Sequence, residues 1–89
     1  MKQLIIVPDG WQCTFKECRS GLFLQGDYLH LKTEYRSEKK SASGIPLGYY
    51  SDAYVCASGE FFMGGASDFK ERDLLIVQPV EYQWEDKEE

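Results

Sequence analysis

Positive charge, long apolar runs, histidine and cysteine are all scarce in this 89-residue chain, and each shortage removes a class of function. Ten Lys and Arg stand against fifteen Asp and Glu, a formal charge of −5, and the basic clusters Lys39-Lys40 and Lys70 with Arg72 are mixed with acids. Neutralising a run of phosphates takes a concentrated positive field, so direct nucleic-acid binding is not expected. The apolar run Leu4-Ile5-Ile6-Val7 stops at Pro8-Asp9-Gly10, far short of a signal-peptide core or the roughly 20 residues of a membrane-spanning helix. A cytoplasmic protein that does not engage membranes is expected. Three cysteines, an odd number, suit reduced thiols in that compartment better than a secreted disulfide framework.

With a single histidine, Cys–His catalysis would need His30 beside a thiol and a third group to orient it, and the spacing supplies neither. Gly64-Gly65-Ala66-Ser67 lacks the Gly-Lys-Ser/Thr that completes a phosphate-cradling loop. A non-enzyme with no catalytic residue and no cofactor is expected.

What the chain does have is aromatic mass. Five Phe, six Tyr and two Trp sit in a composition that is 43% hydrophobic, enough for one modest core that buries roughly 60–65% of the unfolded-chain surface. One globular domain is expected over residues 1–84, with a solvated acidic tail at 85–89. Residues 2–7 read as a strand. Thr14 and Glu17 have the spacing of a capping box, and Ser20-Gly21 ends the short helix it would open. Residues 22–24, a turn at Gln25-Gly26-Asp27 and residues 28–35 form a hairpin. In its return strand the period of two puts Leu29, Leu31, Thr33 and Tyr35 on a core face and Tyr28, His30, Lys32 and Glu34 on a wet one.

Residues 36–48 hold almost nothing apolar before Ile45, which predicts a mobile loop or an extended hairpin tip. In YVCASGEFFMGG, residues 54–65, a two-residue turn at Ser58-Gly59 would pair Cys56 with Phe61 and Tyr54 with Met63. Ser67 or Asp68 can cap a second short helix. LLIVQPVEYQW is the longest strand, and Pro79 places it at an edge or breaks it with a bulge. Beyond Pro79, Val80, Tyr82 and Trp84 alternate with Glu81, Gln83 and Glu85. The expected fold class is mainly β (α+β): a small antiparallel sheet of five or six short strands, barrel-like or half-open, with one or two short helices.

Three candidate sites follow. Cys13, Cys18, His30 and Cys56 match the ligand count of a structural zinc site, although no paired CxxC knuckle is present; a small zinc domain is one alternative function. The acids, scattered outside the tail, offer a second alternative, an acidic mimic of nucleic acid that blocks a DNA-binding enzyme. The leading candidate is aromatic. Tyr49 and Tyr50 are adjacent, so an extended backbone turns one of them outward, Trp11 borders the Pro-Asp-Gly turn, and Asp52 lies close by. Trp11, Tyr49, Tyr50 and Asp52 are the expected partner-binding residues, because Tyr and Trp at wet positions anchor protein interfaces.

The segments GWQCTFKEC, GLF, LKTEY, DAYVCASGEFFMGG and LIVQPVEY resemble a recurring kind of short uncharacterised protein encoded in bacteriophage and prophage genomes. The likeness covers most of the chain outside 36–48 and brings no catalytic residue. It implies a phage accessory protein of the bacterial cytosol that binds a host or phage protein. The expectation is a non-enzymatic protein-binding module, monomer or homodimer, with strand pairing beside Pro79 restrained by the proline.

Overall fold

Two-residue alternation runs further along this chain than short strands require. A computed structural model describes residues 1–63 and 69–86 and shows one open, antiparallel sheet of six strands with almost no helix. The strands are β1 (Lys2–Pro8), β2 (Cys13–Thr14), β3 (Gly21–Gln25), β4 (Tyr28–Lys40), β5 (Pro46–Val55) and β6 (Ile76–Asp86), and one short helix, α1 (Phe69–Asp73), precedes β6. Strand order is β1-β6-β3-β4-β5, with β2 also paired to β6. The sheet does not close into a barrel. Capping of α1 by Ser67 or Asp68, and the role of Gly64-Gly65, lie outside the described residues.

β6 is central, contrary to the expectation from Pro79. It pairs with β1 from Lys2↔Asp86 to Pro8↔Val80, with β2 at Val77, and with β3 at Phe23↔Pro79. Proline is tolerated because the Pro79 carbonyl accepts from the Asp9 amide at 2.9 Å. A residue's N–H and C=O point to the same side of a strand, so the missing donor faces the gap where the chain leaves β1 and has yet to begin β2. The Arg19 guanidinium pins this corner: it forms a 2.7 Å ion pair with Asp9 and donates to the carbonyls of Leu22 and Val80 at 3.1 and 2.8 Å.

The polar stretch 36–48 takes the hairpin form of its two expected conformations. Pairing runs out to Lys40↔Pro46, and residues 41–45 make the turn, with the Ser41 hydroxyl accepting from the Ile45 amide at 3.1 Å. Residues 33–35 stand opposite Asp52 alone, between the registers Lys32↔Ala53 and Arg36↔Ser51. This bulge sets the arm off from the body of the sheet. The molecule measures 61 × 25 × 20 Å, and its 15.6 Å radius of gyration exceeds the roughly 12 Å of a compact domain of this length.

One face of the sheet is covered. Phe15, Cys18, Phe23, Ala53, Phe62 and Val77 form the buried cluster. Phe15, Phe23 and Phe62 meet at centroid distances of 5.2–5.5 Å, tilted or edge-on, as aromatic quadrupoles prefer. The cover is the turn at 14–18 together with α1, tied by backbone bonds from Phe15 N to Leu75 O and from Lys16 N to Asp73 O. The expected first helix is this single turn: the Thr14 hydroxyl accepts from the Glu17 amide at 3.3 Å, the hydroxyl half of a capping box, and Cys18 N bonds Thr14 O. The second hairpin is also shifted. Tyr54 bridges Phe61 and not Met63, and Gly59 N bonds Val55 O, so the turn is wider than two residues. A slip of two keeps every side chain on its expected face.

The phase of β4 is inverted from expectation. His30 and Lys32 are 3% and 6% exposed, whereas Leu31 is 40% and Tyr35 76% exposed. Phe23 decides it. His30 is its cross-strand partner, so burying the large ring carries His30 inward, and Lys32, two residues on, follows.

Candidate functional site

The buried polar residues show what the covered face is for. Lys32 donates from Nζ to the carbonyls of Cys18 and Phe15 at 2.6 and 2.7 Å, with a longer contact of 3.4 Å to Lys16 O, and lies 4.6 Å from the Phe15 ring centroid. Burial pushes its pKa down, an effect opposed by the Cys18 thiol and Asp73. Arg72, fully buried, donates to Ser51 O at 2.7 Å and stacks 4.7 Å from Phe15. His30 lies nearly parallel to Phe23 at 5.0 Å and donates Nδ1–H to Tyr28 O at 2.8 Å. Burial lowers its pKa as well. These groups brace the covering turn and the β5 edge from beneath, so the covered side is fully employed in folding.

The opposite face is not. Register and alternation place Leu4 beside Trp84 and Ile6 beside Tyr82 on it. Val80 joins the row and continues it onto β3 and β4, where Leu22 pairs with Leu31 and Leu24 with Leu29, and Tyr54 flanks Leu31 on β5. Val80 itself is 2% exposed and lies outside the core cluster, so the exposed part of this face falls in two stretches, one on β1 and β6 and one at Leu31 and Tyr54. Trp84 is 69% exposed, and Leu4, Ile6, Tyr82, Leu31 and Tyr54 are exposed too. Large exposed apolar side chains in cross-strand register make this face a candidate interaction surface. Charged groups are nearly absent from it: across β1, β6, β3 and residues 28–33, alternation puts only Lys2 and Asp86 there, as cross-strand partners at one end. Glu81 and Glu85 take the other side of β6, beside Val7 and Gln3.

The expected contact residues are scattered by comparison. Trp11 is 91% exposed on the turn between β1 and β2, at the β6 side of the sheet, whereas Tyr49 is 72% exposed on β5, with β3 and β4 between. Tyr50 turns the other way and is half-buried, meeting the Phe61 ring edge-on at 6.1 Å. Asp52 is structural: half-buried, it accepts from the Ser37 hydroxyl at 2.7 Å, and its carbonyl accepts from Thr33 at 3.0 Å, bracing the bulge. Tyr49 and Tyr50 line a cleft of about 200 Å³ with Lys16, Arg36, Ser51 and Asp73. Its charges are mixed, two cations facing one carboxylate, and suit no single anion.

The zinc alternative fails on geometry. Cys56 is exposed whereas Cys18 is buried, and His30 is packed between the Phe23 and Phe62 rings. No group of three or more His, Cys, Asp or Glu able to hold a metal exists among the described residues. Nor is any described helix long and apolar enough to cross a membrane.

No family model, curated protein or solved structure matches the chain. The candidate residues that sequence reading did not single out are Leu4, Ile6, Leu31, Tyr82 and Trp84; for Tyr82 and Trp84 the alternation of Val80, Tyr82 and Trp84 against Glu81, Gln83 and Glu85 was the available signal.

Proposed function

We propose that this protein is a non-enzymatic protein-binding module whose docking surface is the uncovered face of the sheet. The single observation that carries this is the row of Leu4, Ile6, Tyr82 and Trp84, exposed and in cross-strand register. Aromatic anchors ringed by aliphatic contacts are the composition of energetic centres in interfaces. The setting that goes with this reading is a bacterial cytosol, with a phage-encoded or host protein as partner. Tyr49 and the Trp11 turn lie outside the face. The acidic-mimic alternative gains nothing from β6, where Gln83 separates Glu81 from Glu85 and donates to Glu81 at 2.8 Å.

A photoreactive benzophenone side chain placed at position 84, and in a parallel protein at position 49, tests the assignment in expressing cells. Protein adducts at 84 that are absent or far weaker at 49 are expected. Adducts at 49 with none at 84 would move the docking surface to the arm.

A further inference from the structure

We infer that the occupant of this face is a second copy of the chain, packed sheet against sheet about a two-fold axis. The inference rests on the docking-face reading above and names its partner. The first argument is area. A folded monomer of 10.3 kDa exposes about 5,400 Å², whereas this chain exposes 6576 Å². The projecting arm and the open face share this surplus of roughly 1,200 Å², which leaves room for the about 800 Å² per partner that a stable interface covers.

The second argument is charge. The protein carries −5 overall, so a partner chosen by attraction to its acids would seat where they lie. The apolar face holds one cation and one carboxylate, Lys2 and Asp86, and Glu81 and Glu85 point to the other side of the ribbon. An isologous contact brings a surface against itself and therefore requires that it not repel its own image. A neutral, apolar face meets that condition, and two such faces stack about 10 Å apart as the inner layer of a sandwich. Ile6, Tyr82 and Trp84 of each copy then become core, while the acids and both arms stay at the periphery.

Sedimentation equilibrium of the purified full chain across the micromolar range tests this, beside Ile6→Lys with Trp84→Lys. The wild type should show twice 10.3 kDa, and the variant, with its far-UV dichroism retained, should dissociate with a constant at least about 100-fold higher. Should the variant fail to fold, the benzophenone at position 84 in the purified protein decides, since it must yield a covalent dimer whose cross-linked peptides both belong to this chain. A monomeric wild type whose position 84 cross-links only to another protein in cells overturns the second copy and leaves the docking face standing. A monomer with no adduct at 84 overturns both. A dimer that survives both lysines with unchanged affinity, or cross-links at 49 and not 84, places the contact elsewhere and also overturns the inference.

Discussion

Lys32→Met removes an ammonium and little else, because methionine matches the buried lysine stem beneath Phe15 in length and leaves the packing in place. Two short charge-assisted bonds are lost, to Cys18 O at 2.6 Å and Phe15 O at 2.7 Å. The two carbonyls fare differently. Phe15 O keeps a 3.2 Å bond from the Cys18 amide, whereas Cys18 O loses its short donor in a buried setting, which costs about 1–3 kcal/mol. The cation–π contact at 4.6 Å adds about 0.5–2 kcal/mol of loss. Against these stands the desolvation of the ammonium, relieved in the variant and visible as the lowered Lys32 pKa. Bonds to two turn carbonyls outweigh that relief, and a net destabilisation of about 2 kcal/mol is expected.

For a domain of this size that is a fall in melting temperature of about 8–16 °C. Urea unfolding followed by far-UV circular dichroism, at one fixed protomer concentration because association would shift the midpoint, measures it. A second signature is the pH slope. With its folded pKa below the ordinary value, Lys32 holds its proton more weakly in the native state, so its contribution to stability grows as pH rises from the folded pKa toward 10.5. The variant should lack that rise. A Lys32→Met protein as stable as wild type would refute the reasoning, showing that the desolvation of a buried cation exceeds what the turn carbonyls return.

Acid should weaken the fold through His30: burial lowers its pKa from an ordinary 6.5, so the stability it confers is present above 6.5 and is lost as pH falls through the folded value, with a slope of at most about 1.4 kcal/mol per pH unit. His30→Gln should flatten urea midpoints in that window, and an unchanged slope would assign the acid sensitivity to other groups. Gly21→Ala should cost about 1–2 kcal/mol by thermal melting, since Gly21 has φ +127° and a Cβ there would meet the Arg19 guanidinium at 2.8 Å; a neutral result would mean the corner relaxes at no cost. Iodoacetamide should label exposed Cys56 first and buried Cys18 last. Burial pushes the Cys18 thiol up, so its rate should climb with pH above neutrality, and fast labelling of Cys18 at neutral pH would contradict its burial.

Strand positions were legible because alternation and turn residues are local: residues 2–7 and the hairpin around Gly26-Asp27 stand where the sequence puts them, whereas the last strand starts two residues later and runs on through Glu85 and Asp86, expected as tail, and β4 exceeds it in length. Phase was not legible in β4, since a pattern of period two cannot say which row faces in, and Leu29 and Leu31 outrank His30 and Lys32 on any hydrophobic scale. What decides it is the partner strand, where Phe23 opposes His30. Pro79 misled for the same reason, because a proline forbids a donor on one side of a strand only, and strand order determines whether that side is occupied. Tyr49 was found by alternation along one strand. The docking face needed β1 and β6 laid side by side, and only register brings Leu4 to Trp84.

The inversion in β4 bears on the open face. An irregular turn such as 14–18 has few sheet neighbours, so its carbonyls need donors from below; Lys32 and Arg72 supply them, to the turn and to Ser51 at the β5 edge. Rows of side chains so employed cannot also be aliphatic, and each half-exposed leucine or isoleucine on the outer row forgoes about 1 kcal/mol of burial. A chain folding for itself alone would break that outer row with charge, as it does on the other side of β6 with Glu81 and Glu85. Instead Leu4, Ile6, Tyr82 and Trp84 stay in register and exposed. An uninterrupted apolar row is a standing aggregation hazard, and a specific occupant converts that hazard into the core of an interface.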